Sequence, residues 1–118
     1  MKPQDSALLL RTFIGESDRF GHHPLYEAIV MKAREQGLAG ATVLRSPMGF
    51  GQSSRVHTAN ILRLSADLPI VVEIVDSEDA INGFLPVLTG MVRGGLITLE
   101  DVRIVHYGAD QSGPAAPG

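Results

Sequence analysis

Two glycine clusters are the places where this sequence could bring its backbone close to a ligand. One is Gly49-Phe50-Gly51, followed by Gln52, Ser53, Ser54 and Arg55; the other is Gly94-Gly95. Glycine has no Cβ, so an anion can approach its N–H, and successive N–H groups in a turn form an anion-binding nest. Alone, each cluster also matches an ordinary turn. No P-loop is present, and no dinucleotide fingerprint follows the first apolar run. Four histidines, His22, His23, His57 and His106, invite a metal reading. No pair has the i, i+4 spacing of a helical zinc site, no carboxylate completes a set, and solvated imidazoles are the simpler reading. Ser53, Ser54 and Asp18 carry no local triad signature. Glu16 and Asp18 flank Ser17 in what reads as a solvated turn, and Arg55 and Arg63, judged alone, read as solvated. With no acid set against a base, the sequence points to a binding protein and not to an enzyme.

The elements that must position these groups alternate. Ala7 to Ile14 reads as a strand, and Gly15 to His23 as a polar loop. Pro24 suits a helix start, where its missing N–H costs nothing. Leu25, Tyr26, Ile29, Val30 and Ala33 share one helical face, and Gly37 is a stop signal. Ala41 to Met48 is a second strand with Pro47 at its end. Gly49 to Asn60 has no period and is expected to be a long loop, of which Gly51 to Asn60 is expected to be mobile without ligand. Leu68 to Val75 is the most β-like stretch. Ser77 caps a second helix, whose stripe is Ile81, Phe84, Leu85, Leu88 and Val92. Pro86 is expected to kink that helix. Gly94-Gly95 ends it, and Leu96 to Tyr107 supplies a last strand, divided at Glu100-Asp101. Residues 109–118, rich in Gly, Pro and Ala, are expected to form a disordered tail after a single domain over 1–108. The order β-α-β-β-α-β is an α+β, ferredoxin-like arrangement: an antiparallel sheet with two helices on one face.

Composition bounds the function. The 118 residues hold one core, 44% of them are hydrophobic and only 5% aromatic, so that core is aliphatic. A net charge of −3 argues against nucleic-acid binding, which needs a basic surface. Without cysteine there are no disulfides or thiolate sites. With no apolar signal region and no bilayer-length apolar run, the expected location is the cytoplasm.

Both faces of the strands are largely apolar. Regular alternation points Leu8, Leu10, Val72, Ile74, Val102 and Ile104 at the helices. It leaves Leu9, Phe13, Val43, Val71, Val75 and Val105 on the other face, with Arg11, Arg45, Glu73 and Arg103 among them. A face of that composition fits a subunit interface better than water. Glu73 is expected to pair with one of the three arginines.

The run from Gly37 to Gly51, Gly-Leu-Ala-Gly-Ala-Thr-Val-Leu-Arg-Ser-Pro-Met-Gly-Phe-Gly, resembles the second strand and loop start of PII signalling proteins. A closer resemblance is to the PII-like family of domain of unknown function 190. It is carried by Gly15-Glu-Ser-Asp18, Pro24-Leu-Tyr-Glu-Ala-Ile-Val30 and Gly40-Ala-Thr-Val-Leu-Arg45. Ser53-Ser-Arg-Val-His57, Leu68-Pro-Ile-Val-Val-Glu-Ile-Val-Asp76 and Gly95-Leu-Ile-Thr-Leu-Glu-Asp-Val102 extend it. The resemblance implies a PII-like homotrimer that binds a small anionic effector, an adenine nucleotide, between subunits. It also implies that the loop over 49–60 signals to a partner protein such as a transporter or an enzyme. On that reading Gly49, Gly51 and Gln52 form the loop base, Gly94, Gly95 and Leu96 the phosphate-facing loop, and Ser53 is a further ligand-binding residue. This chain has no Gly-Asp-Gly-Lys run and no Lys after Gly95, so Arg55 and Arg103 are the expected substitutes. The alternative is a divalent-metal-binding trimer of the cation-tolerance type, which shares the fold and would use the histidines.

Overall fold

A computed structural model describes residues 6–49, 57–58 and 68–108. Ten elements follow one another: β1 (Ser6–Gly15), β2 (Arg19–Phe20), β3 (His23–Pro24), α1 (Leu25–Glu35), β4 (Thr42–Arg45), β5 (Met48–Gly49), β6 (His57–Thr58), β7 (Pro69–Asp76), α2 (Glu78–Met91) and β8 (Leu96–Arg103). The main sheet has the order β4-β7-β1-β8, with every neighbouring pair antiparallel. This is the α+β arrangement that the element order implies.

Alternation on the two central strands decides where the core sits. Leu8, Leu10, Thr12 and Ile14 of β1 are buried, as are Ile70, Val72, Ile74 and Asp76 of β7. Against them α1 places Leu25, Ala28, Ile29 and Ala33, and α2 places Ile81, Phe84, Leu88 and Met91. The core is aliphatic apart from Phe84, as the composition requires. At the start of α2, Ser77 Oγ accepts the Ala80 N–H at 3.2 Å, the expected cap. α1 ends where the Leu38 N–H returns to the Ala33 carbonyl at 3.1 Å, beside Gly37. Asp76 ties the two helix connections together: its carboxylate accepts the Ala39 N–H at 2.8 Å and the Ser77 N–H at 2.7 Å.

Several expectations are corrected. Residues 15–23 are not simply loop: β2 and β3 form a small hairpin there, with Arg19 opposite Pro24 and Phe20 opposite His23. As the apolar stripe on both sides of it implies, Pro86 lies inside α2, which runs from Glu78 to Met91. Pro86 and Asn82 both lie on its exposed side, so water can take the carbonyl that Pro86 cannot bond. The last strand runs through Glu100-Asp101 without division and ends at Arg103, before Tyr107. The expected tail over 109–118 lies outside the described residues.

The face assignment also changes at both edges. Val43 pairs with Val72 and Arg45 with Ile70, so both belong to the helix side, while Leu44 opposes Val71 on the open side. On β8, Val102 pairs with Ala7 and belongs to the open side, whereas Arg103 pairs with Ser6 and belongs to the helix side. The sequence pattern predicts alternation but not phase; a one-residue offset exchanges the faces of a whole strand. The open face remains apolar, with Leu9, Phe13, Leu44, Val71, Val75, Leu96 and Val102 upon it. In its middle Arg11 Nε donates to Glu73 Oε2 at 2.8 Å, and Arg11 Nη1 reaches Glu100 Oε1 at 3.3 Å. The Glu73 hydrogen bond, followed by the nearby charges of Glu73 and Glu100, outweighs desolvation and raises the Arg11 pKa above its ordinary value.

Candidate functional site

Gly49 and the Gly94-Gly95 turn lie far apart in sequence and meet the same end of the sheet. β1 leaves the sheet at Gly15, opposite Pro69 at the start of β7, and Phe13 stands opposite Leu96 at the start of β8. Gly49 has a φ of +156°, and a Cβ there would sit 2.9 Å from Pro69 Cγ. Gly95 has a φ of +142°, and a Cβ there would sit 2.5 Å from the Phe13 carbonyl oxygen. Both glycines are therefore required by backbone conformation and by close approach. Gly94-Gly95 lies in the bend between α2 and β8, as a turn reading allows, whereas Gly49 ends the strand β5 opposite His57.

Backbone bonds hold that end together. The Glu16 N–H donates to the Leu68 carbonyl at 2.8 Å, and the Ser46 N–H to the Pro69 carbonyl at 2.9 Å. Asp18 organises the β1–α1 connection: its Oδ2 accepts the Gly15 N–H at 3.0 Å, and its carbonyl accepts the Leu25 N–H at 2.7 Å. Glu16 faces Arg45, with Nη2 to Oε1 at 3.0 Å. The acidic turn that reads as solvated in the sequence is thus a structural clasp. Nothing in single-residue chemistry announces this, because the partners Gly15, Leu25 and Arg45 are fixed by the fold. Arg19 Nη2 donates to the His22 carbonyl at 2.7 Å, which braces the β2–β3 hairpin.

The expected site residues divide into three groups. Gly49, Gly94 and Gly95 are brought to the same end. Gly51, Gln52, Ser53 and Arg55 lie outside the described residues. Arg103 lies at the other end of β8, opposite Ser6, seven residues along the strand from Leu96. At about 3.3 Å per residue that is roughly 23 Å, so Arg103 and the Gly94-Gly95 turn of one chain do not meet.

Two surface clefts were not anticipated. One, of about 360 Å³, lies between the β2–β3 hairpin and the end of α2, lined by Asp18, Arg19, Leu25, Met91, Arg93 and Gly94. The other, of about 460 Å³, lies where the segment after β8 crosses the open face; Thr42, Glu73, Val75, His106 and Tyr107 are among its walls. Among the described residues no group of three His, Cys, Asp or Glu side chains is placed to hold a metal ion. No helix among them is long and apolar enough to cross a membrane.

Comparison with known proteins agrees with this architecture. The family model DUF190, described as uncharacterized ACR, matches residues 7–104. A UPF0166 protein of Aquifex aeolicus (strain VF5) is 41% identical over 98 residues, covering 83% of this chain and 92% of the relative. A UPF0166 protein of Methanocaldococcus jannaschii is 34% identical over 99 residues, covering 83% and 91%. Among solved structures, a PII-like signaling protein from Thermus thermophilus superposes with a TM-score of 0.59 at 23% identity, covering 86% of this chain and 93% of that one. CPII, a nitrogen regulatory PII-like protein from Thiomonas intermedia K12 bound to ADP, AMP and bicarbonate, gives 0.56 at 14% identity, covering 90% and 94%. At these identities the structural likeness establishes the fold.

Proposed function

The chain belongs to the DUF190 family, and from that footing we propose that it is a PII-like regulatory protein. It binds an adenine nucleotide between the subunits of a homotrimer and signals through the loop over 49–60. One observation carries this reading: Gly49 and the Gly94-Gly95 turn converge on one sheet end, and Gly49 and Gly95 hold backbone conformations that favour glycine. Successive backbone N–H groups at a glycine turn can take phosphate oxygens. The ADP and AMP bound by CPII support the choice of ligand.

The open face supports the assembly. Phe13, Leu44 and Leu96 are 36%, 48% and 56% exposed on one surface, beside the Arg11 pair. Apolar surface of that kind is a mark of an interface. A second and third copy of this chain would cover it. Arg103 is too far along β8 to serve the Gly94-Gly95 turn of its own chain, so the reading uses Arg103 of a neighbouring subunit. Arg55, Gln52, Ser53 and Gly51 complete the loop side. The signal passes to a partner protein, and no chemical step is assigned to the chain.

Calorimetric titration of ATP, ADP, AMP and cyclic AMP, with light scattering on the same samples, tests both halves. A trimer that binds at least one of these nucleotides, and loses about ten-fold or more in affinity on Arg103→Ala, is the expected result. No binding by the wild type rejects the nucleotide. A stable monomer at micromolar concentration rejects the intersubunit site.

A further inference from the structure

We propose that the cleft between the β2–β3 hairpin and the end of α2 is an oxyanion subsite, in which Arg19 and Arg93 hold a phosphate group. Neither arginine belongs to the loop base or to the neighbouring subunit, so this subsite is complete within one chain. It rests on the nucleotide reading in one respect: Gly94 is shared, and the cleft receives the phosphate end of the same ligand.

Four features of the cleft point the same way. Its volume, about 360 Å³, lies within the range of small-molecule pockets. Leu25 and Met91 on its wall are 3% and 7% exposed, a dry surface against which charge-assisted hydrogen bonds are stronger than in open water. Arg93 is exposed and has neither a hydrogen bond nor an ion pair among the described residues. Arg19 is braced by its bond from Nη2 to the His22 carbonyl, which leaves Nε and Nη1 for a ligand. Two guanidinium groups on one cleft suit the bidentate recognition of phosphate.

One opposing charge and one opposing dipole border the cleft. Asp18 also lines it, and its Oδ2 accepts the Gly15 N–H at 3.0 Å, which holds that oxygen toward the β1–α1 connection. The carbonyl end of α2 is a negative pole, with no basic residue in its last turn. Arg93, two residues beyond Met91, offsets that pole. A purely helix-capping Arg93 changes the melting temperature without changing pyrophosphate affinity.

Pyrophosphate, which has no adenine, is the probe. Wild type, Arg19→Gln, Arg93→Gln and Arg93→Lys are titrated with pyrophosphate and separately with ADP, and their melting temperatures are read with and without pyrophosphate. The expected result is that wild type binds pyrophosphate, each Gln variant binds it about ten-fold or more weakly, and Arg93→Lys lies between. The pyrophosphate-induced rise in melting temperature shrinks in step. A wild type that does not bind pyrophosphate overturns the subsite. So do Gln variants that bind it as the wild type does, including an Arg93→Gln protein that only melts lower without ligand. Pyrophosphate binding that needs both arginines, with no ADP binding, keeps the subsite and rejects the nucleotide reading. ADP binding undiminished in both Gln variants keeps that reading and overturns the subsite.

Discussion

The two faces of the central sheet are made from the same kinds of residue and meet different fates. On the helix side, Leu10, Val72 and Ile74 are closed over by Ile29, Ile81, Phe84 and Leu88 of the chain's own helices. On the open side, Leu9, Val71 and Val75 remain half-buried, and Phe13, Leu44 and Leu96 remain exposed. The polar residues differ in the same sense. Thr12 is 1% exposed on the helix side, and its hydroxyl has no hydrogen-bond partner among the described residues. Arg11, one residue earlier on the open side, has two carboxylate partners. A face finished within the chain tolerates one stray hydroxyl for the sake of shape. The open face, which the proposed assembly would cover, keeps these charges paired, and an unpaired charge there would oppose burial.

Three variants break or sharpen this contrast. Phe84→Ala removes the largest fully buried side chain of the helix side, where no partner can compensate. It should destabilise the subunit by about 3–5 kcal/mol, read by denaturant unfolding. A loss below about 1 kcal/mol would mean that the two faces are not distinguished by burial. Thr12→Val tests the same side with the opposite sign: a methyl in place of an unpartnered hydroxyl should leave stability unchanged or raise it by about 1 kcal/mol. A clear loss would show that the hydroxyl has a partner in solution, such as a buried water. Leu44→Asp is the smallest change for a single subunit, within about 0.5 kcal/mol, because Leu44 is 48% exposed. Its expected effect lies in assembly: light scattering should report a folded monomer in place of the proposed trimer. A trimer that survives Leu44→Asp with the same thermal stability would show that this part of the open face is not the interface.

Much of the fold is legible in the residues. The run read as a strand over Leu68 to Val75 can scarcely be anything else, and the structure places it one residue further on, at Pro69–Asp76. Ser77 caps the helix whose start its residue type marks, and Gly37 lies where the first helix stops. Legibility fails where two segments must be placed against each other. Nothing in Thr42–Arg45 or Leu96–Arg103 sets the phase in which they meet β7 and β1, so Val43, Arg45, Val102 and Arg103 change sides. The β2–β3 hairpin is too short to show a period, although the turn residue Gly21 between Phe20 and His23 is a signal that could have found it.

The candidate site divides along the same line. Which residues can do anion chemistry is a matter of residue type: glycines that free a backbone N–H, and arginines that fork two donors toward an oxyanion. Local pattern was likewise sufficient for an aliphatic βαββαβ chain with too much apolar strand surface for one layer of helices. Which of those residues work together is a matter of distance, and only tertiary structure sets distance. It brings Gly49 and Gly95 to one sheet end, holds Arg103 roughly 23 Å of strand away from that end, and sets Arg19 and Arg93 on one cleft although they are far apart in the chain. Side-chain chemistry is local and can be read one residue at a time. Juxtaposition follows from strand pairing and helix packing, whose register depends on every element at once.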